Sequence, residues 1–234
     1  MVIPARYDSS RLPGKPLADI CGMPMIQHVY KSARKSFAED VIVATDDSRI
    51  LEVVEKFGGR ALLTSRGHSS GTERVQEATK LLGLSSNDIV VNVQGDEPLI
   101  PPAAINTVAT VLKEKEEFGI ATLCESATKG IENPNTVKVI VNSLGEALYF
   151  SRSSIPYSVN SNHYFRHIGL YAYRVNALNK FVAFPASIYE KSEKLEQLRA
   201  LDFGLKIHVT VSDFNIPPGV DTPTDLDAVR ALIP

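Results

Sequence analysis

Residues 89–98 read IVVNVQGDEP, a short apolar run that ends in a glycine and two acidic residues. An apolar run of this length, bounded by turn residues, predicts a β-strand that is buried on both faces. Similar runs occur at residues 2–4, 41–44 and 120–123. The sequence therefore predicts several buried strands of the kind found in parallel sheets.

Amphipathic helical patterns lie between these apolar runs. Met25, Ile26 and Val29 fall on one helical stripe, and comparable apolar stripes occur within residues 50–57, 75–82 and 105–112. Strands that alternate with helices are joined by right-handed crossovers, which place the helices over the faces of the sheet. We therefore expect an α/β fold with a mainly parallel sheet.

A region near the middle of the chain interrupts this alternation. Residues 136–142 alternate between apolar and polar side chains, a turn pattern follows, and residues 147–150 alternate again, which predicts an antiparallel hairpin. The later expected elements are a strand at 168–173, helices near 175–183 and 192–202, a strand at 206–211 and a short helix starting near 221–223. The prediction is one domain, residues 1–234, with a hairpin region inserted at about 134–174.

The composition excludes several classes of protein. The 234 residues carry a formal net charge of -2, so they offer no large basic surface to a nucleic-acid backbone. No stretch approaches the roughly 18 apolar residues of a membrane span, and the first residues lack a signal-peptide pattern. Cys21 and Cys124 are the only cysteines, so a cysteine-rich zinc site is excluded and a reducing compartment fits best. We expect a cytoplasmic protein without membrane insertion or nucleic-acid partners.

The loop after the first predicted strand has the composition of an anion-binding site. Residues 5–16 read ARYDSSRLPGKP and supply the cations Arg6, Arg11 and Lys15 beside hydroxyl residues such as Ser10. Guanidinium and ammonium groups neutralise phosphate oxygens, and small residues let backbone N–H groups approach them. The loop matches neither the Walker motif nor the glycine pattern of dinucleotide sites. A triphosphate site is the functional interpretation, and a solvated surface loop is the alternative.

Two carboxylates follow other predicted strands. Asp96 ends the stretch that begins at Ile89, and Asp221 follows the strand predicted at 206–211. Ligands of parallel sheets bind beyond the carboxyl ends of the strands, and carboxylate oxygens are suitable ligands for Mg²⁺. Each residue could instead cap a nearby helix. We expect the loop cations and the two carboxylates to converge, because together they supply both halves of a metal-triphosphate site.

Other polar residues are weaker candidates from their positions alone. Asp46 and Asp47 follow the second strand, and helix capping is the favoured interpretation for them. His167 leads into a predicted strand, and Glu196 and Gln197 lie on the polar face of a predicted helix. The sequence contains no Ser-His-Asp spacing and no His-Glu-x-x-His motif, so hydrolase chemistry has no support.

Several motifs together resemble the 3-deoxy-manno-octulosonate cytidylyltransferase family, the CMP-Kdo synthetases. They are IPARY at 3–7, SRLPGKPL at 10–17, VATD at 43–46, SGTER at 70–74, NVQGDEP at 92–98, ALYFSR at 147–152, LEQLR at 195–199 and GVDTP at 219–223. The resemblance extends over nearly the whole chain. The RLPGK loop indicates only the wider nucleotidyltransferase group, whereas the LEQLR and FSR segments narrow the match to this family.

The resemblance implies a three-layer, Rossmann-like nucleotide-diphospho-sugar transferase fold and a homodimer formed partly by residues 134–174. It also implies Mg²⁺-dependent coupling of CTP to 3-deoxy-D-manno-octulosonate (Kdo), with release of pyrophosphate. The implied nucleotide-binding residues are Arg6, Ser10, Arg11, Lys15, Ser70, Gly71, Arg74 and Gln94. Asp96 and Asp221 would bind the metal and, with Lys15 and Arg11, form the catalytic group. The implied acceptor residues are Arg152, His167, Tyr171, Glu196 and Gln197.

Two other functions share part of this pattern. A cytidylyltransferase for another sugar acid, such as 8-amino-Kdo or neuraminate, would differ in its acceptor pocket. A non-catalytic protein would bind CTP without transferring it. A carboxylate on the acceptor requires a nearby Arg or His, which Arg152 and His167 supply, and no second cationic cluster suits a phosphorylated acceptor. The sequence leaves open close Kdo analogues, the number of metal ions, and whether lipopolysaccharide or capsule synthesis uses the product.

Overall fold

The computed structural model describes residues 1–8, 11–157, 163–217 and 219–233. The strands are β1 (Val2–Ala5), β2 (Asp19–Ile20), β3 (Met23–Pro24), β4 (Ile42–Thr45), β5 (Arg60–Leu63), β6 (Ile89–Asn92), β7 (Ile120–Ala127), β8 (Lys138–Val141), β9 (Ala147–Ser151), β10 (Tyr164–Arg174) and β11 (Ile207–Val211). The helices are α1 (Met25–Ala33), α2 (Ser48–Lys56), α3 (Gly71–Leu81), α4 (Pro102–Glu114), α5 (Val175–Ala183), α6 (Ile188–Glu193), α7 (Gln197–Asp202) and α8 (Pro223–Leu232), with a short 3₁₀ helix at Lys15–Leu17.

The chain divides into two compact units. The first unit comprises residues 1–84, 90–106 and 216–234, and the second comprises residues 85–89 and 107–215. The prediction of one domain with a dimerisation region at 134–174 stays a prediction. None of the helices among the described residues is both long enough and apolar enough to cross a membrane.

The first unit is built on a parallel sheet in the order β6-β1-β4-β5. All four residues of β1 and of β4 are buried, and Ile3 pairs with Val43. Burial on both faces is what an unbroken apolar run predicts, so the parallel sheet is confirmed in this unit. β5 was not predicted. It is an edge strand with only three apolar residues, 61–63, and its residues are exposed or half-buried.

A cluster of apolar side chains fixes the last helix of the first unit. Val220 and Leu226 are buried against Ile20 and Met25, and Leu12 packs on the same cluster. Each such buried side chain contributes about 1.5–3 kcal/mol to folding. The cluster therefore attaches the residues just before α8 to the segment that follows β1.

The second unit contains a mixed sheet in the order β11-β7-β10-β8-β9. β11 runs parallel to β7, and the remaining pairs are antiparallel. The β8–β9 pair confirms the predicted hairpin. At its turn the side chain of Asn142 accepts hydrogen bonds from the backbone N–H groups of Leu144 and Glu146, both at 2.9 Å. An asparagine that bonds the backbone two residues ahead is typical of a tight turn.

The helix predicted at 192–202 is wrong in extent, because two helices occupy this region. Ser187 and Glu190 form a capping box that starts α6 earlier than predicted. Lys194 then adopts a left-handed conformation with φ 55° and ends that helix. α7 starts only at Gln197.

Candidate active site

A tight turn positions Lys15 after β1. The backbone N–H of Lys15 donates to Leu12 O at 3.1 Å, and that of Gly14 donates to Tyr7 O at 3.1 Å. Gly14 has φ 66°, a conformation that residues with a side chain rarely adopt. Pro16 is buried within the following 3₁₀ helix. The loop is therefore folded back on itself, and it directs the Lys15 side chain to the carboxylates described next.

Lys15 joins the two predicted metal carboxylates. Its Nζ atom lies 2.5 Å from Asp96 Oδ2 and 3.2 Å from Asp221 Oδ1. Arg11 Nη2 lies 3.1 Å from the same oxygen of Asp221. The predicted convergence of loop cations with the two acidic residues is therefore confirmed, although Lys15 and Asp221 are separated by 206 positions in the chain.

Close backbone packing delivers Asp96 to this point. A Cβ atom at Gly95 would lie 2.8 Å from the carbonyl oxygen of Pro4, so only glycine fits beside β1. The backbone N–H of Val220 donates to Asp96 O at 2.8 Å, which brings Asp221 alongside. Thr222 rather than Asp221 caps α8, since its hydroxyl accepts from the backbone N–H of Asp225. The carboxylate of Asp221 thus faces the cations and not the helix.

The electrostatics of Lys15 reflect two opposing effects. Partial burial favours the neutral amine and lowers its pKa, whereas Asp96 and then Asp221 raise it through charge and hydrogen bonds. The carboxylates prevail, so the pKa of Lys15 lies above its ordinary value. Lys15 is therefore a fixed positive charge at neutral pH. The Lys15 side chain is 15% exposed, against 30% for Asp96 and 49% for Asp221.

An open cleft of about 320 Å³ surrounds these charges. The predicted residues that line it are Arg6, Arg11, Lys15, Gly71, Gln94, Asp96 and Asp221. Asp8, which the sequence did not single out, also lines it. Ser10, predicted to bind the nucleotide, lies outside the described residues. The cleft thus collects cations and carboxylates from segments that are far apart in the chain.

The predicted nucleotide residues near α3 occupy different environments. Gly71 borders the cleft as the first residue of the helix, and Ser70 caps the helix by accepting from the backbone N–H of Glu73. The side chain of Arg74 is completely buried. Its guanidinium donates to Asp46 Oδ2 at 2.6 Å and to Thr64 Oγ1 at 2.5 Å. Direct contact of Ser70 and Arg74 with a nucleotide stays a prediction.

His167 of the second unit is a neutral histidine. Its Nε2 atom lies 3.0 Å from Thr122 Oγ1, and that hydroxyl also lies 3.0 Å from Ile168 O and 2.8 Å from Leu170 O. The Thr122 hydroxyl has one proton, which it donates toward these carbonyl oxygens because they can only accept. We therefore assign the Nε2–H of His167 as the donor to Oγ1. Burial, aided by the charge of Arg166, lowers the pKa of His167 to about 3.

Tyr171 lies next to His167 on β10, with 5.5 Å between their ring centroids. The pairing of β10 with β7 is irregular between Ile168 and Tyr171, and such bulges re-aim side chains beside functional sites. Burial, followed by the electrostatic influence of Tyr173 and Glu196, raises the pKa of Tyr171 well above its ordinary value. Tyr171 therefore stays protonated, and Glu196 is close enough to influence it.

The side chain of Arg152 makes its described hydrogen bonds with backbone carbonyls. Its guanidinium donates to the carbonyl oxygens of Glu193, Pro134 and Lys194 at 2.7, 2.9 and 3.3 Å. Lys194 and Leu195 lie in the turn between α6 and α7, directly before Glu196. Because Arg152 bonds the carbonyl of Lys194, it fixes the chain close to Glu196. Gln197 is buried at the start of α7. The Glu193 carboxylate, which the sequence did not single out, accepts from the backbone N–H of Arg152 at 2.8 Å.

The donor set at Lys15 is suitable for a divalent metal ion. Oxygens of Asp96 and Asp221 already face one cation, the ammonium group of Lys15. Among the described residues no group of three His, Cys, Asp or Glu side chains could hold a metal. Mg²⁺ commonly uses one or two carboxylates and takes its other ligands from phosphates and water. The residues present therefore fit a magnesium ion that arrives with a phosphate ligand.

Comparisons with known proteins agree with this geometry. Residues 1–207 match the model of the family described as Cytidylyltransferase. A 3-deoxy-manno-octulosonate cytidylyltransferase from Cellvibrio japonicus (strain Ueda107) is 51% identical over 249 residues, covering 100% of this chain and 97% of the relative. One from Coxiella burnetii (strain Dugway 5J108-111) is 50% identical over 244 residues, covering 99% and 98%.

A solved structure gives the same result. CMP:2-keto-3-deoxy-manno-octonic acid synthetase in complex with CTP has a TM-score of 0.94 and 46% sequence identity, with 99% of this chain and 96% of that chain covered. The predicted α/β fold of the Rossmann-like nucleotidyltransferase kind is therefore confirmed.

Proposed function

Because this chain belongs to the 3-deoxy-manno-octulosonate cytidylyltransferase family, we propose that it transfers CMP from CTP to Kdo and releases pyrophosphate. The observation that carries the proposal is the contact of Lys15 with both Asp96 and Asp221 at an open cleft. A cationic loop and two carboxylates at one cleft suit the complex of a divalent metal ion with a nucleoside triphosphate.

The proposed reaction is an in-line displacement at phosphorus. The anomeric hydroxyl of Kdo gives its proton to water, and its oxygen bonds to the α-phosphorus of CTP. The bond from that phosphorus to the bridging oxygen breaks, and its electron pair leaves with pyrophosphate. Such a transfer asks the protein for little covalent chemistry, so positioning and charge stabilisation supply most of the acceleration.

The loop cations are proposed to bind the triphosphate. Arg6, Arg11 and Lys15 all line the cleft, and the Arg11 side chain is 63% exposed, so it can turn toward a ligand. Arginine binds phosphate oxygens through two parallel N–H donors. Lys15 carries its fixed positive charge into the cleft. We assign it the role of stabilising the negative charge that develops at the α-phosphate. Gln94 and Gly71 are proposed to contact the nucleotide from the same cleft.

Asp96 and Asp221 are the residues that would hold Mg²⁺. A bound magnesium ion supplies Lewis-acid stabilisation of phosphate charge and lowers the pKa of a coordinated hydroxyl. The contribution of this chain is the placement of two carboxylates within 3.2 Å of a single cationic group.

The acceptor is proposed to bind among Arg152, His167, Tyr171, Glu196 and Gln197. A neutral His167 with its proton on Nε2 offers Nδ1 as an acceptor for a sugar hydroxyl, and Tyr171 offers a protonated phenol as a donor. Arg152 is then the cation available to the carboxylate of Kdo. Among the described residues, three of its five N–H donors are used by carbonyl groups, so two remain for a ligand.

The proposal extends to the biological setting. Two exposed leucines on the β8–β9 hairpin, Leu144 at 70% and Leu148 at 56%, support a homodimer through the 134–174 region. Free Cys21 and Cys124 support a reducing compartment, the cytoplasm. The product would serve lipopolysaccharide or capsule synthesis.

One experiment tests the reaction directly. The protein is incubated with CTP, MgCl₂ and Kdo, 8-amino-Kdo, neuraminate or a sugar phosphate, and pyrophosphate and the mass of the nucleotide product are measured. We expect pyrophosphate and CMP-Kdo with Kdo, and much less with UTP in place of CTP. Preferred transfer to another acid overturns the acceptor assignment. CTP binding without pyrophosphate from any acceptor overturns the enzymatic assignment.

A further inference from the structure

We propose that Arg49 is a positioning residue for the cationic loop, and that it acts through the ring of Tyr7. The inference rests on the proposed function, because it assumes that this loop binds the triphosphate of CTP. Arg49 is not among the described residues that line the cleft, so any effect on the nucleotide must be indirect.

Tyr7 contacts Gly14, at the other end of the same loop, through both its backbone and its ring. Its carbonyl oxygen accepts from the backbone N–H of Gly14 at 3.1 Å. A Cβ atom at Gly14 would lie 3.3–3.4 Å from three atoms of the Tyr7 side chain, so the ring packs closely over the Gly14 backbone. Arg6 directly precedes Tyr7 and Lys15 directly follows Gly14. The Tyr7–Gly14 contact therefore sets the separation of two cations that line the cleft.

Arg49 contacts the same Tyr7 ring. The central carbon of its guanidinium lies 3.3 Å from the centroid of the Tyr7 ring. A guanidinium stacked on an aromatic ring is attracted by the electron-rich face of the ring and also by ordinary packing. Tyr7 is thus in contact with Gly14 on its own loop and with Arg49 on α2.

Arg49 is itself oriented by the first turn of α2. Its Nε and Nη2 atoms donate to the two carboxylate oxygens of Asp47, at 2.8 and 2.6 Å. The side chain of Asp47 is 12% exposed and also caps α2 by accepting from the backbone N–H of Arg49 at 3.0 Å. A bidentate pair fixes the plane of the guanidinium, which a single ammonium group cannot do. The residue that caps α2, Asp47, therefore also orients the guanidinium of Arg49 for its stack on Tyr7.

The test compares CTP affinity with turnover in variants of both partners. We expect Arg49→Met to raise the Kd and KM for CTP roughly two- to fivefold, the range of an exposed cation–π contact, since the Arg49 side chain is 56% exposed, and to change kcat and the KM for Kdo far less. Arg49→Lys keeps the charge without the planar fork and should restore only part of the affinity. Arg60→Met is the matched control, since Arg60 is an exposed arginine of the same unit whose partner is Asp40.

The Tyr7 variants keep the inference testable even if Arg49→Met folds poorly. Tyr7→Leu should weaken CTP binding as Arg49→Met does, and Tyr7→Phe, which keeps the ring, should bind CTP more tightly than Tyr7→Leu. The double variant Arg49→Met/Tyr7→Leu should be no weaker than either single variant, because both remove one contact. Additive losses, or a normal Kd in Arg49→Met, overturn the role of Arg49. Failure of the unmodified protein to bind CTP overturns the proposed function and this inference together.

Discussion

The charged cleft of the first unit and the predicted acceptor residues of the second unit satisfy their polar groups in opposite ways. In the cleft, Lys15 is paired with the side chains of Asp96 and Asp221, which remain partly exposed. In the second unit, Arg152 is bound to three backbone carbonyls, and His167 shares a hydroxyl with two more. The cleft pairs charged side chains with one another, whereas the acceptor residues are hydrogen-bonded to backbone carbonyls, directly or through a hydroxyl.

This difference predicts how each region responds to a ligand. Partly exposed ion pairs contribute little to stability, so their members can exchange partners with phosphate or metal at small cost. Side chains held by several backbone carbonyls give up several hydrogen bonds at once when they move. We therefore expect substitutions in the cleft to affect metal binding and chemistry, and substitutions around Arg152 and His167 to affect acceptor affinity and stability.

The largest expected effect is that of Asp96→Asn in the cleft. This change keeps the size of the side chain but removes the charge that faces Lys15. We expect turnover with CTP, Kdo and MgCl₂ to fall on the order of 100-fold or more, as for other lost electrostatic partners at reacting centres. Asp227→Asn, an exposed carboxylate on α8 paired with Arg230, is the control. Near-normal pyrophosphate release by Asp96→Asn would mean that the metal site is misassigned.

A second prediction concerns the metal ion without nucleotide. Lys15 is a built-in cation between the two carboxylates, so Lys15→Met should bind Mn²⁺ more tightly even though its turnover falls. We expect the Mn²⁺ affinity to rise about tenfold, equivalent to ~1.4 kcal/mol. This value is below the roughly 4 kcal/mol of a close ion pair, because Asp221 is half exposed and water screens its charge. Titration calorimetry with MnCl₂ measures the affinity, with the exposed Lys56→Met as control. Equal Mn²⁺ affinity in all three proteins would contradict competition by Lys15.

The sequence predicted the elements whose signal is local. The apolar runs of β1, β4 and β6 and the alternating hairpin β8–β9 each carry their pattern within a few residues. The convergence of Lys15 with Asp96 was also predictable, because parallel strands present their carboxyl ends at one edge of the sheet. The helix at 192–202 was wrong because its apolar spacing continues across Lys194, whose left-handed backbone no spacing indicates.

Other contacts between distant segments were not predictable from residue types. Nothing in the sequence distinguishes Arg74, whose guanidinium is fully buried on Asp46 and Thr64, from an arginine that reaches a ligand. The stack of Arg49 on Tyr7 joins α2 to the loop after β1, and neither residue has a periodic pattern that indicates it. Such pairs depend on packing, which single-residue preferences do not encode.

A smaller effect is expected at Arg152. Arg152→Lys keeps the charge, but one ammonium group cannot reach three carbonyls of Pro134, Glu193 and Lys194 in the same plane. We expect the KM for Kdo to rise about fivefold, equivalent to the net loss of about one hydrogen bond, with the KM for CTP unchanged. Arg174→Lys is a matched control, because Arg174 also donates to backbone carbonyls, those of Phe118 and Leu112. An equal rise in both KM values would contradict a role specific to the acceptor.

The smallest expected effect is a pH dependence of stability due to His167. Burial, followed by the charge of Arg166, holds its pKa at about 3 in the folded protein, whereas an unfolded histidine has a pKa of about 6.5. Between these values the unfolded chain binds a proton that the folded chain does not, so stability falls as the pH falls below about 6.5. From pH 7.5 to 5.5 the free energy of unfolding should drop about 1 kcal/mol more in the unmodified protein than in His167→Gln. Urea denaturation of both proteins at the two pH values measures this difference, and equal drops would show that His167 takes up a proton in the folded state as readily as in the unfolded one.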